Sequence, residues 1–113
     1  MAGKPARHEV VLTEDAAHDL EELYDYIAQH DAPAKADHVL DAMDKLLGSL
    51  ALLPERNRVT PELQVIGIRD YRDTWFKPYR VIYRITGRRV YVYLIVDGRR
   101  DMQALLMRRL LRA

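Results

Sequence analysis

Apolar residues recur along the chain with two different periods, and the change of period divides it. Residues 8–12 (HEVVL) are short and β-branched, are bounded by Thr13, and read as a strand. From there to about Gln29 the apolar positions are Ala16, Leu20, Leu23 and Ile27, with Ala17, Tyr24 and Ala28 beside them. That spacing lays one apolar stripe along a helix and leaves carboxylates on its other side. Thr13 stands where a hydroxyl takes an unpaired backbone N–H of the first turn, and Glu14 and Asp15 suit the positive helix end. A second helical stripe runs through Ala36, Val39, Leu40, Met43, Leu46, Leu47 and Leu50, with Asp31 as its expected cap, Pro33 in its first turn and Pro54 as its stop. The short connector predicts an antiparallel helical hairpin.

Residues 54–62 (PERNRVTPE) read as a loop. After Leu63 the period becomes two. Residues 71–76, 79–86 and 89–96 are rich in β-branched and aromatic side chains, with turns at Lys77–Pro78 and Gly87, which predicts an antiparallel meander. Alternation in the last two strands is imperfect, so both faces of the sheet are expected to be partly covered. Asp97 and Gly98 end the sheet. Asp101 then caps a short helix with Met102, Leu105, Leu106 and Leu110 on one side and Arg108, Arg109 and Arg112 on the other. The expected fold is a single α+β domain over residues 1–113: an N-terminal strand, an antiparallel helical hairpin packed on an antiparallel β-sheet, and a short C-terminal helix.

Composition bounds this picture. With 113 residues, 49% hydrophobic and 31% charged, the chain is too apolar to be disordered and long enough to bury a core. It has no cysteine, hence no disulfide and no thiolate metal site. No apolar run is long enough to span a bilayer, and the first twelve residues carry no secretory pattern, so the expected location is cytoplasmic without membrane contact.

The net charge of +1 conceals a division. Residues 1–62 hold six Lys/Arg and thirteen Asp/Glu, whereas residues 63–113 hold twelve Lys/Arg and four Asp/Glu. The hairpin could suggest a helix-turn-helix, but residues 14–53 carry ten acids against two cations, which repel phosphate; sequence-specific DNA binding by this chain alone is not expected. The basic half is almost all arginine, interleaved with Trp75, Tyr79, Tyr91 and Tyr93. Guanidinium grips carboxylate or phosphate and stacks on rings, so RNA, an acidic protein partner and an inert surface all remain open.

Candidate chemistry is sparse. The acids Glu14, Asp15, Asp19, Glu21, Glu22 and Asp25 are scattered around a helix and read as a solvated face rather than a metal site; His8, His18, His30 and His38 have no converging ligand set. No phosphate loop or nucleophile elbow is present, and no hydroxyl has an obvious base beside it. No metal, cofactor or catalytic residue is expected.

The segments VVLTEDAAHDLEELYDYIAQHD, LLPERNRVTPEL with GIRDYR, FKPYRVIYRI and VYVYLIVDGRRDMQALLMRRL, in this order and spacing, resemble the ParE branch of the RelE/ParE toxin superfamily of bacterial toxin–antitoxin modules. The resemblance implies a toxin that inhibits DNA gyrase by protein–protein contact, without enzymatic activity, and forms a hetero-oligomer with a cognate ParD-like antitoxin. It implies an antitoxin segment that folds on the toxin, its apolar anchors in the groove of the hairpin beside the sheet, its acids paired by Arg69, Arg72, Arg80 and Arg84, with Trp75 alongside. Arg99, Arg100, Asp101, Met102, Leu105 and Leu106 are the expected toxicity or target-binding residues; for Asp101 a helix cap, and for Leu105 and Leu106 core packing, are the competing structural readings. The alternative is a RelE-like ribosome-dependent mRNA endonuclease. Cleavage by 2′-OH attack needs a base, a proton donor and cations. Arg80 with Arg99 or Arg100 could supply charge. However, Leu105 and Leu106 stand where the nuclease pattern would place an aromatic acid/base, and no histidine follows His38. A tyrosine near pKa ~10 is a poor base.

Overall fold

The computed structural model describes residues 7–111. Arg112 and the first six residues, which the sequence reading included, lie outside them.

Strand β1 (Glu9–Leu12) leads through Thr13 into helix α1 (Glu14–His30), and helix α2 (Pro33–Leu50) follows after two residues. The Thr13 hydroxyl accepts from the Ala16 N–H at 3.1 Å, as its position predicts. Asp31 does not cap α2. It ends α1 and pairs with Lys35, and the N-cap of α2 is Ala32 without a side-chain bond. The short turn reaches only one residue further, and Pro33, whose missing N–H costs nothing there, starts the helix.

The stretch 54–62 is not wholly irregular. A single 3₁₀ turn (Pro54–Arg56) and the short helix α3 (Pro61–Gln64) interrupt it. Then come β2 (Tyr71–Phe76), β3 (Tyr79–Thr86), β4 (Arg89–Asp97) and helix α4 (Met102–Leu110). The sheet order is β1-β4-β3-β2. The meander is antiparallel as expected, but β1 joins β4 in parallel, so the sheet is mixed.

Both faces of the sheet are covered, and a β-bulge explains how. Ile82 pairs with Leu94 and Tyr83 with Val92, which leaves Tyr93 unmatched. One extra residue reverses which side chains face which way. Val90 and Val92 before it, and Ile95 beyond it, meet Ala16, Met43 and Leu50 of the hairpin, together with Val81 and Tyr83. Leu94 and Val96 turn to the second face, where Ile82, Leu63, Met102 and Leu106 form a separate core. Burying a Leu or Met side chain contributes roughly 1.5–3 kcal/mol, so Met102 and Leu106 are the main anchors of α4.

β1 is too short to cover all of β4, and side chains complete its edge. The Thr13 N–H donates to the Val92 carbonyl at 3.0 Å. Past it, Arg109 Nη1 donates to the Tyr93 carbonyl at 2.8 Å, and the Ile95 N–H donates to Asp19 Oδ2 at 3.0 Å. Asp19 and Arg109 are themselves paired through two hydrogen bonds of 2.9 and 3.0 Å. α1 and α4 thus clamp the bulged strand through one ion pair.

Candidate functional site

Two chain reversals meet at one end of the sheet. Tyr79 pairs with Asp97, and the Gly98 N–H donates to the Pro78 carbonyl at 2.8 Å, which sets the β4–α4 junction against the β2–β3 turn. A Cβ on Gly98 would lie 2.7 Å from the Trp75 ring and 2.8 Å from Arg80 Cδ. Only glycine admits this close approach. The Trp75 ring is held between that backbone and the Arg80 guanidinium, whose Cζ is 5.1 Å from the ring centroid, yet it remains 38% exposed. Beside it Arg99 is turned back on Asp97, its backbone N–H at 2.9 Å and Nε at 3.0 Å from Oδ1. These bonds hold the Asp97 carboxyl below its usual range. Arg100 and Lys77 are exposed and form no ion pair among the described residues. The corner therefore presents an indole edge and three cations: Trp75, Lys77, Arg99 and Arg100.

Beneath the corner lies a buried charge network. Arg80 donates through Nε to Asp73 at 2.8 Å, through Nη2 to Asp73 again, and through Nη1 and Nη2 to Glu62 at 2.7 and 3.0 Å. Arg58 closes the other side of Asp73 at 2.8 and 3.1 Å. Burial alone would depress the Arg80 pKa, but Glu62 and Asp73 outweigh it and keep the guanidinium charged. Its hydrogen bonds hold Glu62 below the usual carboxylate range. The network ties α3 and the loop before it to the sheet.

The expected antitoxin-binding residues do not form one patch. Arg69 is exposed ahead of β2. Arg72 points to the hairpin side and donates to the Asn57 and Glu55 carbonyls at 2.6 and 3.2 Å. Arg80 is buried in its network, so its guanidinium is committed within the chain. Arg84 lies toward the opposite end of β3, its Cζ 5.9 Å from the Tyr71 ring, and Tyr71 meets Tyr93 edge-on at 5.4 Å. Trp75 alone of the five reaches the corner. Among the expected target-binding residues, Arg99 and Arg100 are at the corner's surface, while Asp101 caps α4 by accepting from the Ala104 N–H at 3.1 Å. Met102 and Leu106 are buried in the second core, with Leu105 packed against it.

The sequence reading placed Asp19 on a solvated acidic face and Arg109 on the polar side of the last helix; instead the two are largely buried and pair with each other. Position 19 follows Ala16 by one turn and borders Leu20, so it falls on the stripe that the helical spacing buries; that is the signal available for it. Among the described residues no cluster of His, Asp and Glu could hold a metal ion, and no helix is long and apolar enough to cross a membrane. Burial raises the pKa of Tyr79, Tyr83 and Tyr93, which makes each a weaker acid and disfavours a phenolate base on the sheet.

The family model of the ParE toxin of the parDE type II toxin–antitoxin system matches residues 10–102, from β1 to the first residue of α4. The chain belongs to the ParE toxin family. It is thus a type II toxin of the RelE/ParE superfamily. Among solved structures it is similar to the chromosomal ParDE toxin–antitoxin system of P. aeruginosa, at 18% identity and a TM-score of 0.68, over 81% of this ParE chain and 97% of the other. It is also similar to the RelBE2 toxin–antitoxin complex of Mycobacterium tuberculosis, at 21% identity and a TM-score of 0.56, over 85% and 97%. At these identities the likeness shows the fold. No match is found among curated proteins.

Proposed function

We propose that this ParE chain inhibits DNA gyrase by protein–protein contact and is neutralised in the cytoplasm by a cognate ParD-like antitoxin. The family assignment carries the toxin; the geometry of the cations bears on how it acts. The observation that carries the choice of a non-enzymatic mode is the commitment of Arg80. Arg80, the cation that a nuclease reading would use against a scissile phosphate, is enclosed by Asp73 and Glu62, while Arg84 on the same face lies further along β3 over Tyr71. Burial raises the pKa of Tyr79 and Tyr93, and Leu106, with Leu105 packed beside it, belongs to the second core. The enclosure of Arg80 supports a mode of action that does not rest on acid–base and phosphate-clamp chemistry.

What the corner does offer is a rigid aromatic anchor with cations around it, the composition favoured at protein contacts. Trp75 is pre-positioned by Gly98 and Arg80, so little ordering entropy is lost on contact. Expression of the chain without its neighbouring gene should arrest growth, and co-expression of the neighbour should relieve it. Arg99→Ala with Arg100→Ala should reduce the arrest while antitoxin binding largely survives. Arrest undiminished by the double substitution would remove the corner from the mechanism, and simultaneous loss of both activities would indicate a folding defect.

A further inference from the structure

α3 and α4 pack on one half of the sheet's second face, over Ile82, Leu94 and Val96. On the other half, before the bulge, Val90 and Val92 point to the hairpin, so Arg89 and Tyr91 point away from it. Val11, between Val10 and Leu12, and Arg84, between Tyr83 and Ile85, point the same way. The register then sets one row across all four strands: Val11 beside Tyr91, Tyr91 beside Arg84, and Arg84 beside Tyr71. The Arg84 guanidinium lies 5.9 Å from the Tyr71 ring, which meets the Tyr93 ring edge-on. Arg89 donates to the Tyr91 hydroxyl at 3.3 Å. Each member of the row is half-buried, seated on the sheet and open above. Val11, Tyr91 and Tyr93 belong to none of the apolar cores.

Arginine gathers at this end of the sheet. Arg7 precedes β1, Arg69 precedes β2, Arg84 is on β3 and Arg88 is in the β3–β4 turn. None of the four is ion-paired among the described residues, and Arg89 is held only by the exposed Glu9 at 3.0 Å. The acids of this end are Glu9 and Asp70. Beyond Tyr93 the surface turns acidic: Glu14 and Asp15, with Thr13, Tyr93 and Arg109, line a cavity of about 300 Å³ that bounds the basic field. A protein contact is centred on apolar anchors. The large exposed apolar side chains, among them Leu53, Val65 and Met107, lie outside this row. Flat rings interleaved with unpaired guanidiniums suit bases and phosphates instead.

We infer that this half of the second face binds a single strand of nucleic acid, its bases against Tyr71, Tyr91 and Tyr93 and its phosphates against Arg84, Arg69 and Arg88. The inference goes beyond the gyrase reading and does not depend on it. Stacking on tyrosine tolerates any base, and guanidinium grips any phosphate, so the face reads neither sequence nor sugar. The contact is binding without cleavage, because Arg80 stays enclosed by Asp73 and Glu62. The corner with Arg99 and Arg100 lies at the other end of the sheet, where Tyr79 pairs with Asp97, so both surfaces can be occupied together.

The test is fluorescence anisotropy of the purified full chain with labelled oligothymidine and oligouridine of about fifteen nucleotides. Both should bind at low salt with Kd of about 1–100 μM, and the affinity should fall with salt at a logarithmic slope of about −2 to −3, as three or four phosphate contacts require. Arg69→Glu with Arg88→Glu, both exposed, should weaken binding by about ten-fold or more, and Tyr91→Ala by about five-fold or more. Lys45→Glu with Arg56→Glu removes the same charge away from the row and should change affinity by less than about three-fold. If Tyr91→Ala fails to fold, the arginine pair and the salt slope still decide. Tighter binding of one oligonucleotide supports the inference and identifies the source of the strand as DNA or RNA. Equal loss in the two charge-reversed pairs, or displacement by polyglutamate as readily as by unlabelled oligothymidine, would assign the effect to bulk charge or to acidic protein and overturn the inference. Absence of binding to both oligonucleotides at low salt would overturn it as well and leave the gyrase reading standing.

Discussion

Replacing Arg80 by methionine separates a structural arginine from a ligand-gripping one. The guanidinium sits almost fully buried between Asp73, which is wholly buried, and Glu62, which is partly exposed. Methionine fills much of the arginine stem's volume but makes none of its hydrogen bonds. Glu62 can turn toward water; Asp73 cannot, and is left with Arg58 alone. Breaking a buried pair by removing one partner costs about 3–5 kcal/mol. The cation–π contact with Trp75 adds about 0.5–1 kcal/mol at a half-exposed site. For a domain of this size roughly 4 °C of melting temperature accompanies each kcal/mol, so Arg80→Met should melt about 14–24 °C lower. Thermal and urea denaturation followed by circular dichroism measure it. The double variant Asp73→Leu with Arg80→Met should recover much of the loss, because no uncompensated charge remains buried. A fall below about 1 kcal/mol, the scale of a surface pair, would refute the network's structural role and return Arg80 to the list of available cations.

Gly98→Ala should push the Trp75 ring off the β4–α4 junction and destabilise by about 1–3 kcal/mol; because Trp75 is the only tryptophan, its fluorescence reports the displacement directly. Asp19→Ala leaves Arg109 with only the longer pair to Asp15 and orphans the Ile95 N–H, at a cost of about 1–3 kcal/mol, and should speed exchange of the Ile95 amide before the rest of β4. Glu62 has a depressed pKa in the folded chain, so its contribution is complete above the ordinary glutamate value of ~4.3 and is lost as pH falls through the lower folded value. The stability difference between the native chain and Glu62→Gln should accordingly be flat from neutral pH to about 5 and shrink below about 4, as urea midpoints would show.

The helices and the meander were legible because each buries a stripe at its own period. Ala16 to Ile27 and Ala36 to Leu50 have no competing reading, and Thr13 and Asp101 cap as local sequence dictates. Asp31 failed as a cap because Lys35 and the end of α1 claim it, a choice between neighbours that spacing does not express. The parallel pairing of β1 and the bulge at Tyr93 are tertiary facts; imperfect alternation in β4 signalled that both faces are covered but not where the phase reverses. Charge counting identified the basic half correctly as a composition, yet it treated Arg80 and Arg99 alike. One is enclosed by carboxylates distant in sequence and the other stands 78% exposed, a distinction that depends on Glu62 and Asp73 arriving from separate elements. The same holds for Met102 and Leu106, whose helical spacing fits a surface or a core equally well until the second face of the sheet is known to need covering.

The central claim is that this ParE chain acts on gyrase and not on messenger RNA. Its most direct test is a paired assay with purified protein: relaxed plasmid with DNA gyrase, and translating ribosomes with mRNA. The account predicts blocked supercoiling and intact mRNA, with the block weakened by Arg99→Ala and Arg100→Ala together. Undiminished supercoiling alongside ribosome-dependent mRNA cleavage would contradict it.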